Sequence, residues 1–187
     1  MPIRLHSTVG RVTGPGHLDW TAATTTLVAG PVADALASWS RAGEVVAAPI
    51  DPALADTAAF CEQYGVAMAD SANCVVIAGR RGDVTRYAAC VVLATTRADV
   101  NGVVRRRLDA RKASFAPMED AVTFSGMEFG GITPIGLPAP WPILVDAAVL
   151  ERDVVVIGSG LRRSKIALPS AALADLPNAE IVDGLAT

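Results

Sequence analysis

The chain has 187 residues, 51% of them apolar, and a formal net charge of −3 at pH 7. This composition is typical of a globular domain with one core, and it excludes a disordered chain. The slight negative charge excludes a global field that would attract nucleic acid. The sequence has no run of about 18 apolar residues and no apolar signal-peptide core at its N-terminus. We therefore expect no membrane span and a cytoplasmic location.

Histidine and cysteine usage limits the chemistry. His6 and His17 are the only histidines, which argues against a histidine metal site or a Ser-His-Asp triad. The cysteines Cys61, Cys74 and Cys90 are odd in number, lie in apolar contexts and form no Cys-x-x-Cys motif. Buried, reduced thiols are the expectation. The sequence predicts no metal, no cofactor and, for an enzyme, a reaction without a histidine base.

Hydrophobic periodicity, together with Gly and Pro breaks, predicts the helices and strands in chain order. Residues 1–30 are interpreted as an N-terminal extension, and residues 31–187 as a single domain, because no repeat or linker divides them. Helices are predicted at 31–43, 51–65, 99–108, 117–126 and 169–176, and strands at 44–50, 73–78, 86–95, 112–116, 143–146, 153–157, 165–168 and 179–182.

The fold class follows from the order of these elements. Helices and strands alternate, yet the turn at residues 79–83 joins two strands into an antiparallel hairpin. Such a pattern favours an α/β (α+β) fold in which helices surround a mixed sheet.

The stretch from Phe124 to Leu137 holds four glycines and one proline in fourteen positions, with no helical or strand period. Glycines allow positive φ angles or the close approach of another group to the backbone. The stretch is therefore predicted to form a shaped loop whose N–H groups can hold an anion or a carbonyl oxygen. The alternative is a wide connection between two strands.

Further polar candidates lie close to strand ends, where α/β folds place ligands. A second glycine loop, Gly158-Ser159-Gly160, follows a strand, and Asp146 ends another, although Asp146 could equally cap a turn. Basic residues cluster at 80–81, at 105–112 and at 162–165. Each cluster could bind RNA or could form a solvated face.

The ordered set of motifs resembles the YbaK and prolyl-tRNA-synthetase-associated editing domains over residues 44–176. The motifs that carry the resemblance are Asp56-Thr57-Ala58, Asn73-Cys74-Val75-Val76, Lys112-Ala113-Ser114-Phe115-Ala116, Gly126, Gly130-Gly131-Ile132-Thr133-Pro134-Ile135-Gly136, Val145-Asp146, Gly158-Ser159-Gly160 and Ile166-Ala167-Leu168-Pro169. The resemblance implies a mixed, partly closed sheet with a pocket beside the glycine loop. It also implies hydrolysis of the ester of mischarged tRNA that carries a small amino acid.

The resemblance implies three sets of site residues. The catalytic set is Gly130, Gly131 and Asn73. The substrate-binding set is Thr133, Pro134, Gly136, Asp146, Gly158, Ser159, Gly160 and Lys165. The set in contact with tRNA is Arg105, Arg106, Arg111 and Lys112. An aminoacyl ester is already activated, so positioned water and N–H donors to the oxyanion are sufficient chemistry.

The chain departs from the family pattern at two positions. Members of the family carry a lysine on the strand where this chain has Asn73, and some carry an aspartate where it has Lys165. We therefore hypothesise that Lys165 brings a positive charge into the pocket from another wall, although it could also point to solvent.

Two functions stay open on the sequence alone. The first is a trans-acting aminoacyl-tRNA deacylase whose partner is the acceptor end of the tRNA, with homo-oligomerisation undecided. The second is a binding module of the same fold that has lost hydrolysis, which the neutral Asn73 favours. A phosphate-loop nucleotide enzyme is excluded, because the chain has no Gly-x-x-x-x-Gly-Lys-Ser/Thr motif.

Overall fold

The structure, a computed structural model, describes residues 14–187. His6 and the first part of the predicted N-terminal extension lie outside the described residues. The strands, in chain order, are β1 Thr21–Ala22, β2 Val46–Pro49, β3 Ala72–Arg81, β4 Val84–Leu93, β5 Lys112–Phe115, β6 Ile143–Asp146, β7 Val154–Gly158, β8 Ser164–Pro169 and β9 Ala179–Val182.

The helices are short. They are α1 Gly30–Ser38, α2 Thr57–Tyr64, α3 Arg105–Arg107 and α4 Met118–Ser125. A π-helical turn, Val100–Val104, leads into α3, and 3₁₀ segments occupy Ala42–Glu44, Pro52–Leu54, Met68–Asp70, Ala147–Glu151 and Ser170–Asp175.

The strands form two sheets. One has the order β1-β2-β8-β7 and is antiparallel throughout, and the other has the order β5-β3-β4-β6-β9. The second sheet is mixed, because β6 runs parallel to both β4 and β9. A single parallel bridge between Ser71 and Val156 links the sheets. The mixed α/β fold class is confirmed, with two linked sheets rather than the single sheet expected.

Most of the core lies where the two sheets and α1 pack together. Val32 of α1, Val145 of β6, Ile157 of β7 and Leu168 of β8 are among its buried members. A second apolar cluster covers the other face of the five-stranded sheet and includes Ile77 of β3. Branched aliphatic side chains fill both clusters, as expected for strands buried on both faces.

Three predicted helices have different bounds in the structure. Helix α1 ends at Ser38 rather than at Gly43. The predicted helix 51–65 is two elements, because Asp51 caps the 3₁₀ turn and Asp56 then caps α2 with its own carboxylate. The last predicted helix is the 3₁₀ segment Ser170–Asp175. Two successive N-caps within six residues explain why one continuous helix does not form.

The described part of the predicted extension packs against the domain. Strand β1 pairs with β2, and the side chains of Val28 and Ala29 are buried in the same core as Val32. The Ala29 N–H also donates to the carbonyl oxygen of Ser159 at 3.0 Å. The domain boundary at residue 30 stays a prediction.

Candidate active site

A cavity of about 560 Å³ opens beside the first half of β3. Strand β5 pairs only with Ile77–Arg80 of β3, so the preceding residues of β3 lie beside the cavity. Its volume falls within the roughly 300–1,000 Å³ typical of small-ligand sites. The lining residues are Ala55, Asp56, Thr57, Ala72, Asn73, Cys74, Val75, Val76, Phe115, Ala116, Met118, Ala121, Phe129, Gly130, Ile132, Gly158, Arg162 and Lys165.

Asn73 lines this cavity from β3 and is held by the start of α2. Its side-chain oxygen accepts a 2.7 Å hydrogen bond from the Thr57 hydroxyl. Thr57 is the first residue of α2, directly after the cap Asp56. The bond fixes the amide so that its NH₂ group remains as the donor toward a ligand. Asn73 is therefore a neutral, oriented donor rather than a charge.

Lys165 lines the same cavity from β8 and is buried. Its Nζ atom donates to the carbonyl oxygen of Ala55 at 3.1 Å and lies 5.1 Å from the centroid of the Phe60 ring. Within residues 14–187 it forms no salt bridge with a carboxylate. Burial lowers the pKa of the Lys165 ammonium, and nearby Arg162 lowers it further, against the opposing effects of Cys61 and Asp56.

Two residues of the first glycine loop line the cavity and have backbone N–H groups without an acceptor in residues 14–187. Gly130 is exposed with φ +85°, and both Gly130 and Ile132 line the cavity. In the described chain, the N–H groups of these two residues make no hydrogen bond to another residue. The Gly131 N–H, in contrast, donates to the carbonyl oxygen of Glu128 at 2.9 Å. The two free amides, one on each side of Gly131, suit an oxyanion site.

At Gly131 the first glycine loop packs closely against the backbone of Leu161. A Cβ atom added there would lie 2.6 Å from the carbonyl carbon of Leu161. Gly131, which belongs to the predicted catalytic set, is therefore buried where the two glycine loops pack together and does not line the cavity. Hydrogen bonds join the same loops, from Glu128 N–H to Gly160 at 2.9 Å and from Gly160 N–H to Gly131 at 2.7 Å.

The second glycine loop reaches the cavity only at Gly158. A Cβ atom on Gly158 would collide with the carbonyl oxygen of Gly131. Ser159 is fully buried, and its hydroxyl lies 2.7 Å from that of Ser164. Gly160 has φ +83° and packs against Ala29. Ser159 and Gly160 support the loops and do not line the cavity.

The later part of the first glycine loop turns into the protein. Thr133, Pro134 and Ile135 are buried, and Gly136 adopts φ +84° where its backbone meets Pro31. The Thr133 hydroxyl has no hydrogen-bond partner among the residues described. Thr133, Pro134 and Gly136 do not line the cavity, so only the start of this loop is in position to contact a ligand.

Asp146 has the capping position that the sequence allowed as an alternative. Its carboxylate accepts hydrogen bonds from the N–H of Ala148 at 2.9 Å and from the N–H of Ala186 at 2.7 Å. The side chain is buried and is absent from the lining of the cavity. Asp146 therefore ties the chain end near Ala186 to the end of β6.

Three of the four predicted tRNA-contact residues line a separate surface hollow. Arg105, Arg111 and Lys112 line it together with Arg80, which belongs to another predicted basic cluster. We call these four residues the basic hollow. Arg106 is exposed but does not line it.

Several cavity residues were missed by the sequence analysis. Thr57, Ile132 and Arg162 belong to quoted motifs or clusters but received no individual role. Phe115, Met118 and Phe129 line the cavity and remain more than half exposed. Arg162 donates to the carbonyl oxygens of Phe129 and Pro52 at 3.2 and 3.1 Å. Phe115, Met118 and Phe129 could have been identified from the sequence, because each is a large apolar residue in a segment rich in polar residues or glycine.

Cys74 also lines the cavity, so its reactivity matters. Burial raises the pKa of the Cys74 thiol far above its ordinary value, and neighbouring Cys90 adds to the effect. Burial likewise raises the pKa of Cys90 to about 12. Both thiols are therefore neutral at physiological pH and are poor nucleophiles.

No helix in residues 14–187 is long and apolar enough to cross a membrane. In the same part of the chain, no three His, Cys, Asp or Glu side chains are grouped so that they could hold a metal ion.

The protein is a mixed α/β domain with a cavity lined by residues of both sheets. The aminoacyl-tRNA editing domain family matches residues 51–176 of the chain. Because this match covers more than half of the 187 residues, the chain belongs to the aminoacyl-tRNA editing domain family. The resemblance recognised from the sequence motifs is thereby confirmed.

Solved structures show the same fold. A “putative trans-editing enzyme for prolyl tRNA synthetase” matches with a TM-score of 0.70 and 20% identity, over 82% of this chain and 93% of that chain. A scaffold protein from a computational epitope-grafting study matches with a TM-score of 0.70 and 20% identity, over 83% of this chain and 95% of that chain. A hypothetical protein matches with a TM-score of 0.65 and 18% identity, over 75% of this chain and 90% of that chain. No curated protein matches the chain.

Proposed function

We propose that the protein is a trans-acting deacylase that hydrolyses the ester of mischarged tRNA carrying a small amino acid. One observation carries this proposal: a buried lysine without a carboxylate partner and two unbonded loop amides line one cavity. Membership of the editing family and the similarity to the trans-editing structure support it. The cytoplasm stays the expected compartment.

In this mechanism the ester carbonyl of the substrate lies against the N–H groups of Gly130 and Ile132. Water adds to the carbonyl carbon, and negative charge develops on its oxygen. The two amides stabilise that charge without reorganising. The ester C–O bond then breaks, the ribose oxygen takes a proton, and the free amino acid leaves. A neighbouring ribose hydroxyl can relay the proton, so no histidine is needed.

Lys165 supplies the positive charge of the site. An ammonium has three N–H donors, and the carbonyl oxygen of Ala55 accepts one of them at 3.1 Å. The others are free to bind a substrate oxygen. Asn73 presents its NH₂ group from β3, because the Thr57 hydroxyl already donates to its oxygen. Lys165 thus takes the place of the lysine that other members carry where this chain has Asn73.

The size of the amino acid is limited by the lining of the cavity. Ala55, Ala72, Cys74 and Val75 line the cavity, and their short, largely apolar side chains suit an amino acid with a small, weakly polar side chain. The Asp56 carboxylate at the edge of the cavity is available for the ammonium of the amino acid.

The test is a measurement of ester loss from a panel of aminoacyl-tRNAs. The panel contains tRNAs charged with glycine, alanine, serine or phenylalanine, and each is compared with its spontaneous hydrolysis. We expect faster loss for one or more of the small amino acids and no acceleration for phenylalanine. Spontaneous rates throughout the panel would overturn the proposal.

A non-catalytic binding module is the second candidate, because the neutral, hydrogen-bonded Asn73 stands where other members have a charge. This candidate predicts binding of aminoacyl-tRNA without turnover. Parallel filter-binding and ester-loss measurements on the same samples separate the two functions.

A further inference from the structure

Three large apolar side chains surround the opening of the cavity. Phe115 is 64% exposed, Met118 is 58% exposed and Phe129 is 55% exposed, and all three line the cavity. We call them the apolar rim. Half of the large apolar side chains with this degree of exposure in residues 14–187 belong to this rim. Such a concentration around one cavity marks a contact surface rather than scattered exposure.

Strand β5 connects the apolar rim to the basic hollow. It begins at Lys112, which lines the hollow, and ends at Phe115, which lines the cavity. At about 3.3 Å per residue, the Cα atoms of these two residues lie roughly 10 Å apart. β5 is also an edge strand of its sheet, so one side of it is open to a partner.

The basic hollow keeps its charge unneutralised, unlike neighbouring arginines. Arg81 pairs with Asp109, and Arg107 pairs with Glu180. None of the four residues of the hollow forms an ion pair with a carboxylate of the described chain. Four free cations around one depression of about 580 Å³ fit a polyanion.

We propose that a single-stranded RNA end binds along β5. Its last base stacks against the apolar rim, and its preceding phosphates bind the basic hollow. Aromatic faces beside a positively charged groove are the combination that binds single-stranded nucleic acid without reading its sequence. This inference deepens the proposed function and rests on it for the identity of the RNA, the acceptor end of tRNA.

The charge pattern favours RNA over a protein partner. A protein docked on the rim alone would leave the basic hollow unused, whereas an RNA strand uses both surfaces. The Arg162 guanidinium lies beside Gly130, lines the cavity and forms no ion pair with a carboxylate of the described residues, so it can bind the phosphate nearest the cavity.

The test uses an uncharged, fluorescein-labelled RNA of about eight nucleotides that ends in adenosine. Its affinity for the full chain is measured by fluorescence anisotropy at several salt concentrations. Because this RNA carries no ester, the result does not depend on hydrolysis. The rim variants are Phe115→Ala and Phe129→Ala. The matched control is Phe124→Ala, since Phe124 is 50% exposed but does not line the cavity.

We expect each rim variant to weaken binding roughly 5- to 150-fold, the effect of losing about 1–3 kcal/mol from one stacked base. Lys112→Ala should make the slope of log affinity against log salt shallower by about 1, the change expected when one phosphate contact is lost. Phe124→Ala and the exposed Arg97→Ala should leave both quantities unchanged. Thermal unfolding of every variant establishes that each one is folded.

Unchanged affinity in the rim and Lys112 variants would overturn the inference. So would binding that does not weaken as salt rises, because that result indicates an apolar protein-docking surface. The ester-loss measurement tests the proposed function separately. RNA binding without ester loss would refute the deacylase while the RNA path stands. Ester loss with unaltered binding in the variants would refute the RNA path alone.

Discussion

Lys165 and Asn73 line the same cavity from different sheets, Lys165 from β8 and Asn73 from β3. The amide of Asn73 is fixed by Thr57, and the ammonium of Lys165 is fixed by the carbonyl oxygen of Ala55. The hypothesis that the positive charge approaches from another wall therefore has a physical basis in the contacts of both side chains.

Lys165→Met should lower kcat/KM for ester hydrolysis by roughly 10²-fold, comparable to the loss of one oxyanion-site donor. Methionine keeps the length and apolar body of the side chain but not its charge. Introducing the charge on the other wall, in the double variant Asn73→Lys with Lys165→Met, should recover part of the rate. Steady-state kinetics on aminoacyl-tRNA measure both effects. Arg97→Met removes an exposed charge and serves as the control. If Lys165→Met hydrolyses the ester as fast as the wild type, Lys165 has no role in the reaction.

The stability of the protein should depend on the protonation of Lys165. Burial lowers the pKa of its ammonium below the ordinary value of 10.5. Between the lowered pKa and 10.5, the unfolded state binds more protons than the folded state, so the free energy of unfolding rises with pH. Urea denaturation across this alkaline range should show that rise in the wild type and a smaller rise in Lys165→Met. If the free energy of unfolding of the wild type and of Lys165→Met depends on pH in the same way, burial does not lower the pKa of Lys165.

Gly131→Ala should destabilise the fold by about 1–3 kcal/mol, the usual effect of overpacking. The added Cβ would lie 2.6 Å from the carbonyl carbon of Leu161, where backbone cannot move aside cheaply. Gly43→Ala is the matched control, since nothing lies within 4 Å of a Cβ at that position. Urea denaturation measures both variants, and the control should stay within about 0.5 kcal/mol of wild type. Equal stability of the two variants would show that the glycine loops do not pack this closely.

Cys74→Ala should leave the rate of ester hydrolysis unchanged, although Cys74 lines the cavity. Burial raises the pKa of its thiol, so almost no thiolate is available as a nucleophile. Treatment with iodoacetamide at about pH 8, close to the ordinary thiol pKa, should likewise leave activity intact. Cys90→Ala, which alters a thiol outside the cavity lining, is the control. If iodoacetamide inactivates the wild type and Cys90→Ala but not Cys74→Ala, the Cys74 thiol takes part in catalysis.

The sequence predicted the fold better than the site. Apolar runs and breaks identified all strands from β2 to β9, because local pattern determines where a buried strand forms. Helix bounds were less accurate, since the successive caps Asp51 and Asp56 compete for one segment. The pairing of strands into two sheets depends on contacts far apart in the chain, which no local pattern contains.

The predicted site residues that line the cavity came from the glycine motifs and from the resemblance to the family. Gly130, Gly158, Asn73 and Lys165 line the cavity, but Asp146 does not. An aspartate after a strand can contact a ligand or cap a turn, and the bond to Ala186 that fixes its orientation spans 40 residues. Phe115 and Phe129 line the same cavity although 14 positions separate them in the chain, a proximity that no local pattern contains.

The most direct test of the central claim is a crystal structure with a non-hydrolysable amide analogue of an aminoacyl-adenosine. We predict that its carbonyl oxygen lies within hydrogen-bonding distance of the N–H groups of Gly130 and Ile132, with Lys165 Nζ facing the same ligand. A ligand bound outside this cavity, or one whose carbonyl oxygen contacts neither amide, would contradict the proposed mechanism.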